Sequence, residues 1–286
     1  MEIKLAKTAG FCMGVRRAVD MVLQIAARKE IEPIYTYGPL IHNPQTVDML
    51  RKQGVVPVDD LENIKKGMII IRTHGISPQE KERIQAKGIK IIDATCPKVV
   101  HVQAIIKKHA AQNYTIMIVG DSEHPEVEGL LGHAGGHGIA VGNIDHLEKF
   151  HPVEKLCVVA QTTQCKEAYA DIAKHIAEKM PGALIFDTIC DSTEQRQAEA
   201  RKLASEMEVV LIIGGHNSAN TRRLANISES HGTPTFHIET AGDLKDIRLD
   251  RFEKIGISAG ASTPNWVIKQ IIYALSEIGF HKQAVS

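Results

Sequence analysis

Three similar segments recur along the 286 residues, and each contains one cysteine at a comparable place. Residues 90–96 and 184–190 both form an apolar run with an aspartate three residues before a closing cysteine, Cys96 or Cys190. Apolar residues spaced three and four apart follow Cys96 and also Cys12, which is typical of an amphipathic helix. The internal repeat constrains the fold more than any other feature of the sequence. It predicts three related units in which a cysteine joins a strand to a helix.

Polar residues recur at matching distances after these cysteines. One apolar run in each unit ends near a polar residue that lies 30, 28 or 28 residues after its cysteine, namely His42, His124 and Ser218. A later run ends at offsets of 62, 66 and 72 residues, near His74, Thr162 and Ser262. We therefore expect these side chains at the carboxyl ends of strands.

Each unit of roughly 90 residues alternates strand and helix patterns, which favours a small, mainly parallel α/β sheet. We expect units at 13–96, 97–190 and 191–286. The third unit lacks a closing strand after its last helix, so we expect the N-terminal strand within residues 1–12 to complete it. Ligands of such sheets bind beyond the carboxyl ends of the strands. A pseudo-threefold arrangement would bring the three polar sets onto one central cavity.

Charge and composition exclude several classes of function. Lys plus Arg and Asp plus Glu both number 34, and few aromatic residues are present, so nucleic-acid binding is disfavoured. The longest apolar run, residues 209–215, is far shorter than the ~18 residues of a membrane span, and no secretory signal is apparent. We therefore expect a cytoplasmic protein with no membrane partner. An odd number of cysteines, 5, also argues against a disulfide framework.

The three repeated cysteines are candidate metal ligands. Three thiolates that converge on one axis select zinc or an iron–sulfur cluster over hard cations. A [4Fe–4S] cluster with three Cys ligands has one open iron site, to which a substrate oxygen can bind. The alternative is that they are buried core thiols, since unpaired cysteine is among the most buried residue types. Cys157 and Cys165 have no repeat partner, so we expect them to be ordinary.

The polar residues at the strand ends suit a phosphate or a diphosphate, because they are donors next to helix starts. The alternative role for the hydroxyl and amide groups, Thr162, Ser218, Asn220 and Ser262, is helix capping. Glu126 lies two residues after His124, where an acid can relay protons or simply complement the helix dipole. No fingerprint for NAD or ATP is present. Electrons for a reduction would then come from a donor protein such as a ferredoxin or flavodoxin.

Eight short motifs together resemble the 4-hydroxy-3-methylbut-2-enyl diphosphate reductase family, and the similarity covers about residues 3–280. They are residues 10–19, 41–44, 72–75, 93–97, 120–127, 161–163, 217–220 and 259–262. The resemblance implies a three-lobed α/β trefoil around a central iron–sulfur cluster of the [4Fe–4S] type. It also implies the last reaction of the non-mevalonate isoprenoid pathway, in which a small allylic diphosphate loses its hydroxyl and gives isopentenyl and dimethylallyl diphosphates.

The resemblance also implies a role for each matching residue. The cluster ligands are Cys12, Cys96 and Cys190. The diphosphate pocket maps onto His42, His74, His124, Ser218, Asn220 and Ser262. Glu126 is the implied proton source, and Thr162 orients the substrate hydroxyl.

Two rival functions use the same residues. A zinc hydrolase of a phosphorylated metabolite would use the three cysteines and His124, with Glu126 as its base. A non-catalytic iron or redox sensor would hold the same cluster but would need a partner surface or a DNA-binding element, and the sequence shows neither.

Overall fold

The computed structural model of this chain describes residues 2–28 and 32–284, without the side chains of residues 148–149 and 278–284. Within those ranges it contains three separate sheets of four strands each, and every strand pair is parallel. Helices connect the strands, so the predicted α/β class with three similar units is confirmed.

The first sheet has the strand order β3-β2-β4-β5. Its strands are β2 (Ile34–Tyr37), β3 (Val55–Val58), β4 (Met68–Ile71) and β5 (Lys90–Asp93). The helices of this part of the chain are α1 (Met13–Ala27), α2 (Pro44–Lys52) and α3 (Pro78–Ala86).

The second sheet repeats this topology in the order β7-β6-β8-β9. Its strands are β6 (Thr115–Val119), β7 (Gly138–Val141), β8 (Leu156–Ala160) and β9 (Leu184–Ile185). The accompanying helices are α4 (Pro97–Ala110), α5 (Pro125–His133) and α6 (Lys166–Lys179).

The third sheet is completed by the N-terminal strand. Its strands are β10 (Val209–Ile213), β11 (Thr235–Ile238), β12 (Lys254–Ala259) and β1 (Glu2–Leu5), in the order β1-β12-β10-β11. Its helices are α7 (Asp191–Glu206), α8 (Ala219–Ser230) and α9 (Asn265–Ala284). Ile3 lies opposite Ile255, so β1 takes the place that β5 and β9 hold in the other two sheets.

One central strand of each sheet is buried along its whole length. Every residue of β4, β8 and β10 is buried, as expected where helices cover both faces of a parallel sheet. The helices contribute one apolar face each; α1, for example, buries Val15, Val19 and Val22. Burial of each such side chain contributes roughly 1.5–3 kcal/mol to stability. The polar residues of the predicted site therefore lie beyond the carboxyl ends of the strands, outside this apolar core.

The chain divides into two compact units. One consists of residues 1–13, 42–46 and 191–286, and the other of residues 14–41 and 47–190. The first unit contains the third sheet, and the second unit contains the other two. The division into three domains at residues 96 and 190 remains a prediction. Among the described residues, every helix is too short or too polar to cross a bilayer.

Candidate active site

The loops after β2, β6 and β10 follow one backbone plan. A glycine follows each strand, and its N–H donates to the carbonyl of the last residue of the neighbouring edge strand, as in the pairs Gly38–Val58, Gly120–Val141 and Gly214–Ile238. The fifth residue after each strand is a predicted site residue, namely His42, His124 and Ser218. The repeat that was visible as an offset in sequence is therefore also a repeat of backbone hydrogen bonding.

The three repeated cysteines occupy equivalent backbone positions. Each cysteine N–H donates to the carbonyl of the second residue after a central strand, with N–O distances of 3.1, 2.9 and 2.9 Å for Cys12 to Ala261, Cys96 to Thr73 and Cys190 to Thr162. Each cysteine also directly precedes a helix, α1, α4 or α7. A predicted site residue, Ser262, His74 or Thr162 itself, therefore lies at or next to each of these carbonyl groups.

The donor set fits an iron–sulfur cluster. All five cysteines are thiols, and the Cys96 side chain makes no capping hydrogen bond to α4. Thiolate is the usual protein ligand of iron–sulfur clusters, and the positive end of a helix dipole offsets its negative charge. Cys157, by contrast, lies in the middle of β8, where burial raises the pKa of its thiol to about 11. Cys157 is therefore a core residue.

Glu126 and Thr162 form a buried hydrogen-bonded pair. The Thr162 N–H donates to Oε1 of Glu126 over 2.6 Å, and the Thr162 hydroxyl donates to Oε2 over 2.9 Å. Only 2% of Glu126 and 6% of Thr162 is exposed. Glu126 also lies in the first turn of α5, where the helix dipole favours a carboxylate. This pair places an acid and an alcohol side by side at the carboxyl ends of β6 and β8.

His124 completes the same cluster of side chains. Its Nδ1 accepts a hydrogen bond from the Glu126 N–H over 3.1 Å and so caps α5. Because Nδ1 accepts, the neutral ring carries its proton on Nε2. The His74 ring meets His124 edge-on, with centroids 5.3 Å apart. The second compact unit therefore brings together four predicted site residues: His74, His124, Glu126 and Thr162.

The first compact unit carries the other predicted residues. Ser218 caps α8 by accepting a hydrogen bond from the Thr221 N–H, and Asn220 lies in the first turn of that helix. Asn220 is 4% exposed, and its Nδ2 has no partner among the described residues. Ser262 is half-buried between β12 and α9. The capping role that the sequence predicts for Ser218 therefore coexists with a buried amide donor two residues later.

His42 lies next to the β10–α8 loop through its backbone. A Cβ added to Gly215 would lie 2.7 Å from the His42 carbonyl oxygen, so this contact requires glycine. The cap of α2 is Asn43, whose Oδ1 accepts from the Thr46 N–H over 2.8 Å. His42 is still the fifth residue after its strand, so the larger sequence offset of His42 arises between Cys12 and the end of β2.

Two arginines that the sequence did not single out hold the cysteine segments. Arg196, which is 3% exposed, donates from Nη2 to the Gly10 carbonyl over 2.6 Å. Arg17 donates to the Thr95 carbonyl, directly before Cys96, over 3.2 Å. Both arginines lie on the helix that follows a repeated cysteine, five or six residues after it. This shared distance from a repeated cysteine is the sequence feature that could have identified the two arginines.

Comparisons with known proteins identify the family of this chain. The family model described as LytB protein matches residues 3–276. A 4-hydroxy-3-methylbut-2-enyl diphosphate reductase of Geobacter sulfurreducens is 42% identical over 283 residues, which cover 99% of this chain and 100% of that protein. The corresponding reductase of Aquifex aeolicus is 41% identical over 281 residues, 97% of both chains.

Two solved structures are similar throughout the chain. The E-1-hydroxy-2-methyl-but-2-enyl-4-diphosphate reductase of Plasmodium falciparum has a TM-score of 0.91 at 29% identity, covering 96% of this chain and 88% of that one. An (E)-4-hydroxy-3-methyl-but-2-enyl diphosphate reductase, described as the terminal enzyme of the non-mevalonate pathway, has a TM-score of 0.69 at 40% identity, covering 97% and 100%. With its family model, relatives and fold in agreement, this chain belongs to the LytB family of 4-hydroxy-3-methylbut-2-enyl diphosphate reductases.

Proposed function

We propose that this chain reductively removes the allylic hydroxyl of 4-hydroxy-3-methylbut-2-enyl diphosphate. The family makes the chain an oxidoreductase that acts on this substrate. In the balanced reaction, two electrons and two protons enter, the C–O bond breaks, and the oxygen leaves as water. The second proton forms a C–H bond at either end of the allyl group, which gives isopentenyl or dimethylallyl diphosphate. The buried Glu126–Thr162 pair is the observation that carries the proposal, because the leaving oxygen needs an acid.

Glu126 is the proposed acid, and Thr162 is its partner. Hydroxide is a poor leaving group, so protonation of the oxygen must accompany cleavage of the C–O bond. The Thr162 hydroxyl donates to the Glu126 carboxylate, and its lone pairs can accept the hydrogen bond of the substrate hydroxyl. Thr162 thereby fixes the substrate oxygen next to the carboxyl group that supplies its proton.

Neutral donors are proposed to bind the diphosphate. They are His42, His74, His124, Ser218, Asn220 and Ser262. The Nε2–H of His124 and the buried Nδ2 of Asn220 support this role, because both groups are donors near the start of a helix, where anions bind. A diphosphate would supply the acceptor that the Asn220 amide lacks.

The proteins of this family are iron–sulfur proteins. Cys12, Cys96 and Cys190 are the proposed ligands of one [4Fe–4S] cluster, which leaves one iron without a Cys ligand. When bound, such a cluster supplies electrons to the allyl group and a Lewis-acidic iron. The three cysteines make backbone hydrogen bonds at equivalent positions of the three repeats, which supports this ligand set. A ferredoxin or flavodoxin is the proposed electron donor, because the sequence lacks a nicotinamide-binding fingerprint.

Anaerobic purification tests the proposal. Iron and acid-labile sulfide should be present in equal amounts, about four of each per chain, and Mössbauer spectra should distinguish one iron from the other three. With a chemical reductant, the holoenzyme should convert the substrate into the two isoprenoid diphosphates. Zinc without acid-labile sulfide, together with phosphate release, would instead establish a zinc hydrolase and overturn the proposal.

A further inference from the structure

The end of strand β11 contacts the loop that leads to Ser218. Nε2 of His237 lies 2.8 Å from the carbonyl oxygen of Gly214, the first residue of that loop. A carbonyl only accepts hydrogen bonds, so His237 must donate from Nε2. Burial lowers the pKa of His237, an effect that the bond to Gly214 partly opposes. His237 therefore acts as a neutral donor that holds the start of the loop.

Glu239 holds the same loop two residues later. Its Oε1 accepts a hydrogen bond from the His216 N–H over 2.7 Å, and its backbone carbonyl accepts one from Nε2 of Gln45 over 3.2 Å. The Glu239 N–H donates to Oδ2 of Asp243 over 2.8 Å, which fixes Glu239 itself. Glu239 therefore connects the β10–α8 loop to residues 42–46, the segment that begins with His42.

Packing joins these elements as well. The His216 ring lies against His237, with centroids 4.2 Å apart and ring planes inclined by 52°. Gly215 lies against the His42 carbonyl so closely that a Cβ would not fit. Two consecutive glycines give the loop high backbone freedom, and ordering such residues costs more free energy than ordering others. Contacts from His237 and from Glu239, which directly follows β11, help to order this loop.

The other two repeats lack this arrangement. The next-to-last residue of the edge strand is His237 in β11, but it is Pro57 in β3 and Ala140 in β7. Neither of those side chains can donate a hydrogen bond. In the second repeat, Oε1 of Gln161 instead accepts from the Asp121 N–H over 3.0 Å and holds the corresponding loop. The histidine is thus a feature of the one repeat that carries Ser218 and Asn220.

We propose that His237 and Glu239 are positioning residues for the substrate diphosphate, which they align by fixing the β10–α8 loop against the His42 segment. The proposal rests on the proposed function, since Ser218, Asn220 and His42 are the diphosphate donors. Neither residue needs to touch the substrate. Their effect is to hold the donors in one arrangement before binding, so that less ordering is left for the substrate to induce.

Paired substitutions of the holoenzyme test this role. His237→Leu and Glu239→Ala each remove one side-chain hydrogen bond, and each should raise the Kd for inorganic diphosphate and the substrate KM roughly three- to tenfold. The value of kcat and the iron content should stay within about twofold of wild type, because binding alone is affected. His237→Gln and Glu239→Gln keep a donor or an acceptor at the same reach and should restore most of the affinity. Diphosphate binding is measured anaerobically by calorimetry.

The control is His231→Leu, which removes a similar histidine bond, from Nδ1 to the Ile227 carbonyl, at the far end of α8. It should leave the Kd unchanged. Wild-type affinity in His237→Leu and Glu239→Ala, with weakened binding in Ser218→Ala, would overturn the positioning role and leave the proposed function intact. Glutamine variants as weak as the Leu and Ala variants would also overturn it. Unchanged binding in both Ser218→Ala and Asn220→Ala would overturn the diphosphate pocket and this proposal with it.

Discussion

The loops after β6 and β10 can be compared residue by residue. Both begin with a glycine bonded to the edge strand, and both reach, at the fifth residue, a side chain that caps the next helix, His124 or Ser218. Two residues later, in the first helical turn, the β6–α5 loop carries Glu126 and the β10–α8 loop carries Asn220, both nearly fully buried. One backbone plan therefore presents an acid in one repeat and an amide in the other.

In the proposed function, this difference corresponds to two separate tasks. A carboxyl group can release a proton, but its charge repels a diphosphate; an amide donates hydrogen bonds to a diphosphate but releases no proton under these conditions. Thr162 stabilises the carboxylate in the second repeat through two hydrogen bonds. In the third repeat the equivalent residue after the central strand is Ala261, which has no hydroxyl. We therefore propose that the β6–α5 loop delivers the proton and that the β10–α8 loop binds the diphosphate.

The largest expected effect is loss of the cluster when a repeated cysteine is replaced. The comparison of the loops assumes that Cys12, Cys96 and Cys190 occupy equivalent positions in the three repeats. Cys190→Ser should abolish an intact cluster, and Cys12→Ser and Cys96→Ser should do the same. Cys157→Ser and Cys165→Ser should retain it, since Cys157 is a buried core thiol and neither residue has a repeat partner. Iron and sulfide determination on anaerobically purified variants measures this. An intact cluster in Cys190→Ser, with loss in Cys157→Ser, would mean that the repeats do not correspond at the metal site.

Glu126→Gln tests the proposed proton delivery by the β6–α5 loop. The amide preserves size and hydrogen bonding but cannot supply the proton, so kcat should fall by a factor on the order of 10² or more. Iron content and the Kd for inorganic diphosphate should change little. The matched control is Glu128→Gln, an exposed acid on the same helix, which should turn over normally. Near-normal turnover of Glu126→Gln would move proton delivery to His124 or to the substrate diphosphate.

Variants of Asn220 test the proposed diphosphate binding by the β10–α8 loop. Asn220→Ala should raise the Kd for diphosphate roughly tenfold, because a hydrogen bond to a charged group is lost, while kcat stays close to wild type. Asn220→Asp should weaken binding further, since it places the carboxylate of the other loop next to the anion. Ser230→Ala, at the opposite end of α8, is the control. Equal diphosphate affinity of the Ala and Asp variants would show that a negative charge at position 220 does not weaken binding, and so would contradict the proposed difference between the two loops.

The smallest expected effect concerns closure of the third sheet by the N-terminal segment. Burial alone would raise the pKa of Glu199, but hydrogen bonds from Thr8 and Lys7 lower it overall. A carboxylate with a lowered pKa stabilises the fold above its unfolded pKa, ~4.3, and this contribution is lost as the pH falls through the folded value. Glu199→Gln should therefore cost at most about 1 kcal/mol at neutral pH, because the group is partly exposed, and less below pH ~4.

Urea unfolding of the holoenzyme at both pH values measures this difference, and Glu229→Gln, an exposed acid on α8, serves as the control. A penalty that is equal at neutral and acidic pH would contradict the hydrogen-bonded role of the carboxylate.

The local sequence predicted the features that repeat along the chain. It predicted few of the side-chain contacts between residues that are far apart in sequence. The strand-to-helix cysteines and the residues His124 and Ser218 recur at nearly fixed offsets, so one unit predicts the next. The Glu126–Thr162 pair joins residues 36 positions apart, and no periodicity encodes that contact. His237 matches no repeat offset, and its partner, Gly214, lies 23 positions away and offers only a backbone carbonyl, so the local sequence does not single it out. Side chains that act on distant backbone groups leave no pattern in their own neighbourhood.

The pairing of β1 with β12 also fixes the order in which the chain can be completed during synthesis. Residues 2–5 leave the ribosome long before their partners, residues 254–257. At about 5–20 residues per second, the first strand waits on the order of 10–50 s for its place in the sheet. Charged side chains at Glu2 and Lys4 reduce pairing of the waiting strand with other chains. The segment that leads to Cys12 is therefore fixed in the sheet only after residues 254–257 have been made.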